Sequence, residues 1–396
     1  MVFHVLMDVK VCCVRNLYLV GVPLLCRGTS TCTLILVRKT KREDLFDREE
    51  ELKLFSEALR YAPLIVITGL RRTGKTSFMN VALTESKRPF ISLDLRGLPY
   101  NPSRAEIIRR LEAAFNRINR KWVSSFLEAL RHVKGVSILG NTVSLDWSRK
   151  GIDLADLFDR IDVWAREQDT RFLVAFDEIQ LIRGEKGIPR LFAHIIDVNQ
   201  NITLIVTGSE IGLLFEFLGF DNPESPLYGR HYTEIKMRNF EPGEAQDFLE
   251  LGFQQIGLSP PTEVLNYAIQ KLDGIVGWLT LFGAKCRDHN KCNKEIVNEV
   301  MKEGGKLARA EALKLVKLSH RYGIVLNFLA KVETASWTQI KATLEAHEHR
   351  SLPNPTVTDI INKLIRTSLV MKRNNKYVIA DPLLAHGISQ DPLPTE

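Results

Sequence analysis

Between residues 64 and 236, short apolar runs rich in β-branched residues alternate with longer stretches whose apolar positions recur at helical spacing. Leu64-Ile-Val-Ile-Thr68, Pro89-Phe-Ile-Ser-Leu-Asp-Leu95, Arg171-Phe-Leu-Val-Ala-Phe176 and Ile202-Thr-Leu-Ile-Val-Thr207 are the clearest runs. Unbroken apolar runs of this length belong to strands buried on both faces, as in parallel sheets covered by helices. The pattern predicts strands at 64–68, 90–95, 171–176, 202–207 and 231–236, with helices at 77–83, 103–131, 154–167 and 188–198. That is an α/β fold with a doubly wound parallel sheet, which takes its ligand at the carboxyl ends of the strands. Residues 135–148 alternate around Gly140-Asn141 and predict a hairpin insertion. Ahead of the first strand, Leu45–Leu52 opens a helix, with Asp47 as its N-cap and acids in its first turn.

Beyond Phe240 the strand pattern fades. Helices are expected over 244–255, 261–271 and 279–286, then one long helix from Lys294 to Ser319, interrupted at Gly304-Gly305. The end of the chain changes again. Helices at 323–330, 337–345 and 356–366 precede a hairpin over 368–380 that turns at Asn374-Asn375. Three helices and a β-ribbon give the winged helix-turn-helix order. The expected organisation is a leader over 1–38, an α/β domain over 39–238, a helical lid over 239–319 and a winged-helix domain over 320–396.

Candidate chemistry sits where this pattern puts a ligand. Gly69-Leu-Arg-Arg-Thr-Gly-Lys-Thr76 follows the first strand and opens the next helix, the setting a phosphate-binding loop requires. The glycines let the backbone turn tightly. Backbone N–H groups of Gly69, Leu70, Arg71, Arg72, Thr73, Gly74, Lys75, Thr76 and Ser77 are the candidate phosphate donors. Lys75 supplies a cation for the β- and γ-phosphates of ATP, and the Thr76 hydroxyl a ligand for Mg²⁺. The 171–176 strand runs into Asp177-Glu178. Asp177 is placed to hold Mg²⁺, and Glu178, one step on, to orient and deprotonate a water. Ser209 ends the strand at 202–207, where its side chain falls beside a γ-phosphate.

Composition narrows the class without naming a partner. At 45% hydrophobic and 26% charged residues the chain is ordinary for a globular protein, and its net charge of +7 permits nucleic-acid contact without demanding it. Of six cysteines, Cys12, Cys13, Cys26 and Cys32 lie in the leader, and neither they nor Cys286 and Cys292 show a zinc spacing. All six read as thiols in a reducing, cytoplasmic setting, with no metal and no structural disulfide. The leader is apolar, but Asp8, Lys10 and Arg15 interrupt it, so it predicts neither a secretory signal nor a membrane span. It reads as a disordered leader or a translated upstream stretch.

Leu45-Phe-Asp-Arg-Glu-Glu-Glu, the Gly69–Thr76 loop, Phe176-Asp-Glu-Ile-Gln, Thr207-Gly-Ser-Glu, Ser225-Pro-Leu-Tyr-Gly-Arg230 and Ala380-Asp-Pro-Leu-Leu384 occur in this order. In that order they resemble the archaeal ATPase family, of the STAND class of AAA+-like P-loop NTPases. The resemblance covers residues 40 to about 385. It implies that Phe46 and Arg48 stand beside the base and ribose, and that Ser209 is a sensor. It implies that Arg230 is a γ-phosphate sensor in cis or an arginine finger, and that 274–279 is a lid loop. Two positions depart from the family: Asp47 replaces a usual glycine, and Val276 a usual proline. The implied function is an ATPase switch using ATP and Mg²⁺, with DNA or a protein as the winged helix's partner and a nucleotide-dependent homo-oligomer open. The alternatives are an ATP-modulated DNA-binding regulator of origin-recognition type and a ring-forming motor.

Overall fold

The computed structural model describes residues 42–99, 102–146, 148 and 151–396, and the expectations for the leader lie outside the described residues. The chain enters through α1 (Glu49–Ala58), β1 (Leu64–Thr68), α2 (Lys75–Glu85) and β2 (Phe90–Asp94). It continues through α3 (Arg104–Phe115), α4 (Arg120–Leu130), a hairpin of β3 (Val136–Leu139) and β4 (Thr142–Leu145), and α5 (Leu154–Glu167). Then come β5 (Phe172–Asp177), α6 (Gly187–Val198), β6 (Ile202–Gly208), α7 (Ile211–Leu218) and β7 (Thr233–Lys236). The five long-range strands form one parallel sheet in the order β2-β5-β6-β1-β7. Strand alternation splits each strand between two cores. Leu64 and Val66 of β1 join Phe172, Val174 and Phe176 of β5 on one face, under α3 to α7. Ile65 and Ile67 join Leu173 and Ala175 on the other, under α1 and α2.

This strand order has a direct consequence for the site. β1 lies between β6 and β7, while the chain's next strand, β2, lies at the far edge. The order therefore reverses at β1, and a crevice opens at its carboxyl end. One strand, β6, separates β1 from β5.

The second half is helical: α8 (Pro242–Gln255), α9 (Thr262–Leu272), α10 (Val276–His289) and α11 (Lys294–Val316). The winged helix follows as α12 (His320–Val332), α13 (Trp337–Glu348), α14 (Asn354–Arg366), β8 (Val370–Arg373) and β9 (Lys376–Ile379), and α15 (Pro382–Gln390) ends the chain. From Phe240 to Leu393 the buried apolar residues form one continuous cluster. The helical segment and the winged helix therefore share a core.

Several expectations are corrected. Asp47 is not an N-cap: α1 starts after Arg48, and Asp47 lies in the left-handed region at φ 46°, which accounts for a glycine being usual there. The helix expected over 103–131 is two helices, because Asn119 caps a new start at Lys121 N–H. Gly304-Gly305 does not interrupt α11. Those glycines instead let α15 cross closely: a Cβ on Gly305 would stand 2.9 Å from Gly387 Cα. Helices α7 and α15 were not anticipated.

Candidate functional site

The crevice at the end of β1 is a cavity of about 660 Å³, walled by the phosphate loop, the ends of β2, β5 and β6, and the amino end of α10. Gly69 must be a glycine, since at φ 149° an added Cβ would stand 2.4 Å from Met237 O. The tight turn folds Lys75 back into the loop, where its Nζ donates to the carbonyls of Gly69 at 2.9 Å and Leu70 at 2.7 Å. Burial pushes the Lys75 ammonium down to about 8, against the upward pull of Glu178 and Asp177.

Two threonines hold Asp177. Thr76 Oγ1 donates to Oδ2 at 2.8 Å, and Thr207 Oγ1, on the intervening strand β6, donates to Oδ1 at 2.6 Å. Arg96, just past β2, lies 3.2 Å from Asp177 Oδ2 while forking onto Asp94 at 2.9 and 2.8 Å. Burial raises the Asp177 carboxyl despite these hydrogen bonds and Arg96.

Glu178 takes a left-handed backbone at φ 59°, a cost of about 1–2 kcal/mol for a non-glycine residue, and so turns off the strand toward the cavity. Its Oε2 accepts from Gln180 Nε2 at 2.6 Å, Ser209 Oγ at 2.8 Å and Ser209 N–H at 3.0 Å. Burial works to raise this carboxyl, but Lys75 and these donors outweigh it, and it lies below the ordinary value. Ser209 thus reaches the cavity and is coupled to Glu178.

Phe46 and Arg48 line the same cavity. Phe46 stands edge-on to Phe240 and Phe248, each with ring centroids 5.6 Å away. Arg48 is buried over the Phe240 ring at 4.8 Å and donates to Arg238 O at 2.9 Å and Glu51 at 3.1 Å. An aromatic wall at one end and a ring of cations and N–H groups at the other suit a nucleoside triphosphate.

The family model for an ATPase domain found predominantly in Archaea matches residues 45–282. The chain belongs to that family. A solved Walker-type ATPase of Pyrococcus abyssi is 32% identical, with a TM-score of 0.77 over 89% of this chain and 99% of that one. A winged helix-turn-helix model from the carboxy terminus of MCM proteins matches residues 317–380. More distant are the ORC2 protein of Aeropyrum pernix in ADPNP–ADP complexes (11% identity, 87% and 95% of the two chains, TM-score 0.46) and its ORC1 protein bound to DNA (16%, 88% and 93%, 0.44). At that similarity neither adds to the reading of function. No curated protein matches the sequence.

The two arginines of this ATPase's phosphate loop line the same cavity but pair with acids outside the Asp177-Glu178 cluster. Arg72 forks onto Glu311 of α11 at 2.7 and 3.4 Å, lies 3.7 Å from Asp381 before α15, and stacks over Trp278 of α10 at 4.2 Å. Trp278 Nε1 donates to both oxygens of Asp381 at 3.1 Å, and Gly277 N–H donates to Arg72 O at 2.9 Å. Arg71 pairs with Glu210 at 2.6 Å and Glu311 at 3.4 Å.

Arg230 is not brought to the cavity. It precedes β7, so it lies at the entering edge of the parallel sheet, and it forks onto Asp197 near the end of α6 at 2.9 and 2.5 Å. In this arrangement Arg230 is not among the residues that line the cavity. Arg96, Thr207, Gln180 and Glu311 were missed as site residues. Thr207 and Gln180 stood in the motifs quoted above without a role, and Thr207 carried a further signal as the last polar residue of a buried strand.

Proposed function

We propose that this ATPase binds ATP with Mg²⁺ and hydrolyses it slowly, as a switch that couples the phosphate loop to the helical segment and winged helix. The observation that carries the switch is Arg72: one side chain of the phosphate loop contacts Trp278, Glu311 and Asp381. Those three residues belong to a body with one core. A triphosphate on the loop competes with Glu311 and Asp381 for the arginines, so nucleotide state changes the position of that whole body.

The residues fit Mg²⁺: Thr76 Oγ1 and Asp177 offer only oxygens, and Mg²⁺ keeps several waters and takes few protein ligands. Bound there, it would neutralise charge on the β- and γ-phosphate oxygens. Lys75 leaves its loop carbonyls for the phosphates. Glu178, held by Ser209, orients a water and takes its proton as the water oxygen bonds to the γ-phosphorus and the bond to the ADP oxygen breaks.

Small-angle X-ray scattering with absolute mass tests the switch. The parent should change radius of gyration between ADP and a nonhydrolysable ATP analogue. Glu311→Ala, which removes the one acid that both arginines share, should shift the ADP form toward the ATP form. Identical curves in both states would remove the switch and leave a plain ATPase. The same measurement reads mass, and an ATP-dependent multiple would return Arg230 as a finger acting on a neighbouring subunit. Exposed Lys372, Arg373 and Lys376 at the wing tip favour DNA as the partner of the winged helix.

A further inference from the structure

Helix α10 ends in a left-handed cap. Asn290 has φ 49°, its N–H donates to Arg287 O and Cys286 O, and the next N–H, of Lys291, donates back to Cys286 O at 3.1 Å. The reversal returns Cys292 across the last turn of α10, and Asn293 at once starts α11 by capping the Ile296 N–H at 3.1 Å. Caps on both sides of Cys292 therefore fix where its sulfur lies. The Cys286 thiol donates to Cys292 Sγ at 3.1 Å, and both are free thiols. Cys286 is fully buried in the shared core, whereas Cys292 is partly exposed at its margin.

An apolar contact commonly accompanies such a cap, and any pair of aliphatic residues supplies it. Two thiols in van der Waals overlap supply something aliphatic residues do not. A disulfide holds its sulfurs about 2.05 Å apart, so closure requires about 1 Å of movement. We propose that Cys286 and Cys292 form a dithiol–disulfide site whose substrate is a low-molecular-weight disulfide.

Cys292 is the residue that solvent reaches, and it attacks first. The hydrogen bond from Cys286 holds the Cys292 thiol below its usual value and raises Cys286. The Cys292 thiolate bonds to one sulfur of the external disulfide, whose S–S bond breaks, and the expelled thiolate takes up the proton Cys292 lost. Cys286 then gives up its proton and attacks the Cys292 sulfur of the mixed disulfide. The internal S–S bond forms, and the second external thiol leaves with that proton. One external disulfide is reduced to two thiols, two protein thiols become one disulfide, and no further oxidant is needed.

The bond would staple α10 to α11 at the end away from the nucleotide. Val276, at the cavity, is ten residues from Cys286, about 15 Å along the helix. Oxidation should therefore stabilise the helical segment and leave nucleotide affinity within about two-fold. Closing so short a loop raises the melting temperature by roughly a few degrees.

The test uses the full chain equilibrated with oxidised glutathione, quenched in acid, alkylated and digested for mass spectrometry without reduction. The expected product joins the Cys286 and Cys292 peptides, two hydrogens lighter than the reduced pair, and dithiothreitol reverses it. In Cys286→Ser the reaction should stop at glutathione on Cys292. The melting-temperature rise should be absent in Cys292→Ser. Full alkylation of both residues in the parent, or glutathione on Cys292 that never resolves there, would overturn the proposal. So would linkage of either residue to a leader cysteine.

Discussion

Within the eight residues from Gly69 to Thr76, of which Arg71 to Thr76 all line one cavity, one end of the phosphate loop pairs inward with the sheet and the middle pairs outward with distant acids. Lys75 and Thr76 meet Gly69, Leu70 and Asp177, all at the end of one sheet. Arg71 and Arg72 meet Glu210, Glu311 and Asp381, and two of those three lie more than 230 residues further on, as the separations of 239 and 240 to Glu311 show. The inward contacts are buried and polarise the groups they hold. The outward ones are partly solvated ion pairs, worth about 1 kcal/mol or less each. Chemistry needs fixed groups in a dry place, whereas a coupling device needs contacts weak enough for a ligand to exchange.

The inward half breaks most sharply at Glu178. Glu178→Gln keeps a carbonyl oxygen for the donors of Ser209 and Gln180 but cannot accept a proton from water. Hydrolysis should fall by about 10²-fold or more, with ATP affinity within a few-fold of the parent. Phosphate-release assays and nucleotide titration measure the two separately. Equal losses of rate and affinity would make Glu178 a structural residue and leave catalysis without a base.

A milder perturbation is pH, acting through Lys75. Burial holds its ammonium down at about 8, against an ordinary value of 10.5. Two opposite slopes result. ATP binding needs the charged form, so affinity should fall as pH rises through about 8, by up to about tenfold per unit. Between 8 and 10.5 the unfolded chain binds more protons at this group than the fold does, so its contribution to stability rises with pH. Lys75→Arg should flatten the affinity profile, because guanidinium does not titrate there. Isothermal titration from about pH 7 to 9 and matched thermal melts read both slopes. An affinity that stays level in the parent would remove Lys75 as the titrating contact.

The same contrast explains what the sequence discloses. The sheet, the loop and Asp177-Glu178 are legible because each partner sits at a strand end, where apolar runs announce it. Arg96 sits just as close to Asp177, yet it follows a strand in no motif and reads as a solvated charge. Glu311 lies inside α11 among alternating Lys and Glu, where nothing marks one acid as a contact. Asp47 fails for another reason. An acid before a helix full of glutamates satisfies the N-cap pattern, and only the left-handed backbone shows that the residue stands in a glycine's place. Gly304-Gly305 likewise reads as a break until α15 is seen lying across it.

The smallest effect concerns the end of the outward chain, the winged helix. Its reading helix, α14, is docked at its last turn: Arg366 stands 3.5 Å from Glu216, a Cβ on Gly212 would lie 2.5 Å from Arg366 Cα, and Ser368 Oγ accepts the Ile211 N–H at 3.2 Å. Arg366 is therefore paired with the α/β domain in this arrangement. The wing tip is free of that docking, and Lys372, Arg373 and Lys376 are exposed there. Replacing all three with alanine should weaken binding to random duplexes uniformly and lower the salt slope by roughly 0.9 for each phosphate that these cations neutralise in the parent. If the outward half of the loop transmits nucleotide state, ATP and ADP should give different duplex affinities in the parent. Arg72→Ala should then bring the two together without abolishing binding. Fluorescence anisotropy at several salt concentrations measures all of this. No duplex binding by the parent at low salt would make the winged helix a protein-docking element. A nucleotide difference that persists in Arg72→Ala would instead route the coupling through the packing of α14 on α7.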